Sequence, residues 1–134
     1  MKHLHLEATD ANLAVAMEKL GEFLGDDCSP RARMHLEVAF EEIFVNIAHY
    51  AYGDQVGDVE ITFERSDDAL TVTFSDSGTP YDPLKKPDPD TTLSAEKRQI
   101  GGLGIFLVKK YMDEVSYEYR DGNNIFTMKK KLHE

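Results

Sequence analysis

The chain has 134 residues, 41% of them apolar, a single cysteine and a formal net charge of -10. That length and apolar share predict one domain, residues 1–134, around one core, while Cys28 alone excludes an internal disulfide and suits a reducing cytoplasm. With 25 Asp and Glu against 15 Lys and Arg, direct binding to a nucleic-acid backbone is excluded as a leading role, because that contact is driven by clustered basic side chains.

Residues 2–7 (KHLHLE) alternate and predict an edge strand, after which Thr9 or Asp10 is placed to cap a helix carrying Leu13, Ala16, Met17, Leu20 and Phe23 or Leu24. Gly25 ends it. Ser29 and Pro30 form a cap and first-turn pair for a second helix, whose apolar row Leu36, Phe40, Ile43, Ile47 and Ala51 runs toward Gly53. The period then becomes two: Val59, Ile61 and Phe63, a turn at Ser66–Asp68, then Leu70, Val72 and Phe74, a hairpin. Between Asp76 and Arg98 the pattern stops and four of the five prolines appear, as in a lid or binding loop. A glycine cluster at 101–104 opens a short helix; Val115, Tyr117 and Tyr119 alternate; Asp121, Gly122, Asn123 and Asn124 predict a turn into a last strand from Ile125 to Leu132. The order predicts an α+β two-layer sandwich, a mostly antiparallel mixed sheet with helices on one face. No run reaches the roughly 20 apolar residues of a membrane span, and the start lacks a secretory apolar stretch. The expectation is a cytoplasmic protein with no membrane partner.

Three patterns carry chemistry. Glu42 and Asn46, four apart on the second helix, share a face, so a carboxylate stands beside an amide oxygen of the kind magnesium accepts. Asp76 ends a strand, where it can accept from an exocyclic amine, and Gly78 follows to let the backbone pass closely. Gly101, Gly102, Leu103 and Gly104 precede a helix, where backbone N–H groups and the helix dipole favour phosphate. Each alone also fits an ordinary exposed helix face, an Asx turn or a hinge. The five histidines show no metal-ligand clustering.

Taken in order and spacing, EEIFVNIAHYAY, DSGTPYD and GGLGIFLVKKYMDEV resemble the ATP-binding (Bergerat-type) fold of gyrase-type topoisomerases, Hsp90, histidine kinases and MutL, and within it the anti-sigma-factor serine kinases. The resemblance implies ATP and Mg²⁺, with Glu42 as general base, Asn46 as magnesium ligand, Asp76 as acceptor for the adenine amine and Gly78 as the residue that makes room for the ring. It also implies that Gly101, Gly102, Leu103 and Gly104 form the phosphate turn, and that residues 83–100 are a lid from which Lys97 or Arg98, on charge alone, would reach the γ-phosphate. Asn123, Asn124 and Ile125 stand where members often carry Gly-Thr-Thr, which assigns Asn124 as the substitute polar contact. The implied function is transfer of phosphate to a serine or threonine of a STAS-type antagonist, with a sigma factor as second partner and a homodimer as the assembly. A nucleotide-binding partner-switch module that transfers no phosphate is the alternative, and a topoisomerase-like or chaperone-like ATPase a third reading.

Overall fold

The structure, a computed structural model, describes residues 1–85 and 102–133, with Gly102 and Leu103 by their backbone only. Ser29 and Pro30 start the longest helix, α2 (Pro30–Tyr50), and the Ser29 hydroxyl accepts the Ala32 N–H at 3.0 Å, satisfying one of the donors a helix N-terminus leaves open. Its buried positions, including Leu36, Ala39, Phe40, Ile43, Phe44 and Ile47, recur every three or four residues as one stripe. Helix α1 (Leu13–Leu24) and helix α3 (Gly102–Tyr111) flank it, and both pack against α2.

This helical layer covers one face of a five-stranded sheet: β1 (Lys2–Glu7), β2 (Asp58–Ser66), β3 (Ala69–Asp76), β4 (Glu114–Arg120) and β5 (Asn123–Lys131), in the order β1-β2-β3-β5-β4. Val59, Ile61 and Phe63 of β2, Val72 and Phe74 of β3, and Phe126 and Met128 of β5 are buried with the apolar faces of the helices. Thr62, Thr73 and Thr127, in register across those strands, lie on the other face and are only half-buried. Alternation in sequence thus becomes a sheet with one apolar side. Phe40 sits between Phe63 and Phe74, with ring centroids 6.0 and 5.1 Å away, and ties α2 to the centre of the sheet.

Three sequence expectations need correction. Among the described residues all four ladders are antiparallel, so the sheet they form is not mixed: β5 returns from β4 and inserts beside β3. Neither Thr9 nor Asp10 caps α1. A 3₁₀ turn (Asp10–Asn12) comes first, the Asp10 carboxylate engages His49 of α2 at 2.7 Å, and the Asn12 amide donates to the Glu7 carbonyl at 2.9 Å. Finally, the β4–β5 turn is only Asp121-Gly122, with φ of 54° and 81°, and Arg120 already pairs with Asn123. Asp-Gly with both residues left-handed is the favoured two-residue hairpin turn, and it places Asn123 and Asn124 inside β5. Among the described residues, no helix is long and apolar enough to cross a membrane.

Candidate functional site

The ends of β3 and β5, the C-terminal half of α2 and the segment after Asp76 line a cleft that opens to solvent. Ile43, Ile47 and Phe126 form its apolar floor, and Tyr50, Tyr81 and Tyr117 bring aromatic rings to it. Among the described residues, the polar groups on its walls besides the tyrosine hydroxyls are few: Asn46, Asp76, Thr79 and Asn124. A cleft of rings with a small polar set suits a flat, partly apolar ligand.

Asp76 and Asn124 are a cross-strand pair of β3 and β5, and both are buried, at 6% exposure each. The Asp76 Oδ1 accepts the Gly78 N–H and the Asn124 Nδ2, each at 2.9 Å. Its Oδ2 takes no hydrogen bond from the described residues. A buried carboxylate is costly unless its oxygens find donors, so Asp76 is an acceptor that a donor on a ligand entering the cleft would satisfy. The rest of the Asn124 amide is used within the protein: Nδ2 also donates to the Thr79 carbonyl at 3.0 Å, and Oδ1 accepts the Tyr81 N–H at 3.1 Å and the Tyr117 hydroxyl.

Gly78 is held against α2. The Thr79 N–H donates to the Ala51 carbonyl at 2.7 Å, and a Cβ at position 78 would overlap that same carbonyl oxygen. Among the described residues, the room Gly78 makes is therefore room for the end of α2. Gly78→Ala is expected to destabilise the protein by about 2 kcal/mol or more, the scale of forced overpacking, because the obstacle is backbone. Thermal unfolding checks this.

Glu42, one turn before Asn46, meets the other glycine motif. A Cβ on Gly104 would fall on the Glu42 carboxylate, so the missing side chain is what lets the first turn of α3 approach that carboxylate. Burial first, and then the neighbouring Glu41 charge, hold the Glu42 carboxyl above its ordinary value. A base tuned upward in this way accepts a proton more readily near neutral pH.

The structure thus brings together Glu42 with Gly104, and Asn46 with Asp76 and Asn124, along one stretch of α2. Gly102 begins α3. Gly101, Lys97, Arg98 and the lid beyond Lys85 lie outside the described residues, as does the side chain of Leu103. Pro83–Lys85 form a 3₁₀ turn, and Pro83 lines the cleft. Sequence reading missed Tyr50, Thr79, Tyr81 and Tyr117 as wall residues. DSGTPYD carried Thr79 and Tyr81 in plain view; Tyr117 reads as one alternating strand residue, and only the β4–β5 register brings it beside Asn124.

Comparison with known proteins points the same way. A 99-residue stretch, 70% of this chain, is 32% identical to the "Serine-protein kinase RsbW" of Listeria monocytogenes, and this chain spans 63% of that protein's length. The "Serine/threonine-protein kinase BtrW" of Bordetella bronchiseptica is 29% identical over 78% of this chain and 75% of its own. Among solved structures, the RsbU and RsbW domains of Rv1364c from Mycobacterium tuberculosis superpose with a TM-score of 0.68 at 15% identity, covering 98% of this chain and 33% of that one, which bears on the fold alone. The family model of the histidine kinase-like ATPase domain matches residues 6–130. With that model spanning β1 to β5 and every element that builds the cleft, the chain belongs to the histidine kinase-like ATPase domain family.

Proposed function

We propose that the protein is a cytoplasmic, Mg-ATP-dependent serine/threonine protein kinase that works as a partner switch, phosphorylating a STAS-type antagonist and sequestering a sigma factor when that antagonist is not engaged. The observation that carries this reading is the apposition of the Glu42 carboxylate to the first turn of α3, one helical turn from the cleft that holds Asn46 and Asp76. The two relatives named as serine or serine/threonine kinases support it.

In this reading the base enters between the tyrosine rings and its exocyclic amine donates to Asp76 Oδ2. The triphosphate runs along α2 toward the N-terminus of α3, where free N–H groups and the helix dipole favour negative charge. Asn46 fits a magnesium ligand: its amide is half-buried on the cleft wall, and the described residues hold no group of three or more His, Cys, Asp or Glu that would bind a metal without phosphate. When bound, the ion supplies positive charge to the phosphate oxygens as the γ-phosphoryl group departs. Glu42 takes the proton of the attacking serine or threonine hydroxyl. A bond forms from that oxygen to the γ-phosphorus, the bond to the β,γ-bridging oxygen breaks, and ADP leaves.

The test is radiolabelled ATP with a purified STAS-type antagonist protein: label on a serine or threonine is expected, and ATP-dependent binding without label would replace the kinase by a non-transferring switch. Asn46→Ala is expected to abolish Mg-ATP binding at concentrations that saturate the wild type, measured by calorimetry. Unchanged affinity would remove Asn46 from the metal.

A further inference from the structure

Asn124 occupies a position that its hydrogen bonds within the protein explain more fully than contact with a ligand does. Nδ2 faces the Asp76 carboxylate and the Gly78 and Thr79 carbonyls, none of which can donate, while Oδ1 faces the Tyr81 N–H and the Tyr117 hydroxyl. The amide therefore has one orientation, and both of its donor hydrogens and both of its acceptor sites are engaged by the protein. Carboxylate, cleft wall and edge strand β4 are joined through this single side chain. Burial raises the Tyr117 hydroxyl above its ordinary value, so the group remains a donor throughout the physiological range.

We propose that Asn124, backed by Tyr117, is the positioning residue for nucleobase selection: it fixes Asp76 by Oδ1 and turns Oδ2 toward the exocyclic N–H of the base, without itself contacting the ligand. The inference rests on the nucleotide reading above and assigns the specificity of that site to a brace behind the carboxylate. Because the brace acts only through Asp76, its loss weakens ligands in proportion to what they donate to Asp76. A residue that merely held the fold would weaken all triphosphates alike.

The experiment compares Mg-ATP with Mg-purine riboside triphosphate, which keeps the ring and phosphates but lacks the amine, by calorimetry on the wild type, Asn124→Ala and Tyr117→Phe. Wild type is expected to prefer ATP by about 10-fold or more, the scale of one hydrogen bond to a charged group. In Asn124→Ala the preference is expected to fall to about 2-fold, with ATP weakened and purine riboside triphosphate within about 3-fold of wild type. Tyr117→Phe, which keeps the ring and serves if the alanine variant does not fold, is expected to lower the preference about 3-fold. Equal weakening of both ligands, or a preference unchanged in both variants, overturns the positioning role and leaves the kinase reading standing. A wild type that binds neither triphosphate overturns both.

Discussion

Replacing Glu42 with glutamine is expected to cut phosphoryl transfer by about 100-fold or more, the usual scale for losing a general base, while Mg-ATP affinity stays within a few-fold. The two effects separate because Glu42 is not a wall of the cleft; its carboxylate lies against Gly104. The shape of the side chain is retained, so α3 keeps its seat. The pH dependence gives an independent signature. Burial and Glu41 raise the Glu42 carboxyl above its ordinary value, so between that value and the raised one the folded chain holds more protons than the unfolded chain. Stability then falls as pH rises through this window, and the ionised form that catalysis needs is the less stable one. Wild-type transfer should therefore show an acidic limb at the raised value that Glu42→Gln lacks, and the variant should melt no lower than wild type at neutral pH. Equal transfer rates in wild type and variant would remove Glu42 as base; a lower melting temperature would contradict the cost of burying its charge.

Local rules carried most of the fold. The stripe on α2, the Ser29-Pro30 start and the alternation of β2 and β3 each arise from neighbours in sequence, and each is where the pattern put it. The α1 cap failed because Asp10 had a better partner in His49, 39 residues away, which no local rule reveals. The β4–β5 turn was legible, since Asp-Gly between alternating runs marks a two-residue turn, and reading it as four residues hid Asn124 from its strand. The same division holds for the site. Glu42, Asn46 and Asp76 announce themselves by spacing and by the end of a strand, but the contact of Glu42 with Gly104 depends on how α2 and α3 pack. The Asp76–Asn124 pair depends on the β3–β5 register, set by burial across a crossover, and composition holds no trace of it.

Asp76→Asn is expected to weaken Mg-ATP binding by about 100-fold while moving the melting temperature by only a few degrees. The geometry explains why the two quantities part. Two donors, the Gly78 N–H and Asn124 Nδ2, meet at Oδ1, so an amide at position 76 turns its oxygen toward them and keeps both bonds. Its NH₂ then takes the place of Oδ2 and faces the cleft. An exocyclic amine arriving there meets a donor where it needs an acceptor, losing a hydrogen bond to a charged group worth about 1.5–3 kcal/mol and leaving the base poorly paired in a buried site. Asp76→Ala behaves differently, because it strands the Gly78 and Asn124 donors at a position that is 6% exposed, and each buried group left unpaired costs about 1–3 kcal/mol. Calorimetry and thermal melting on the two variants therefore separate recognition from folding. If Asp76→Asn bound ATP as tightly as wild type, the carboxylate would not be the group that reads the base, and the cleft would hold its ligand by rings and phosphate contacts alone.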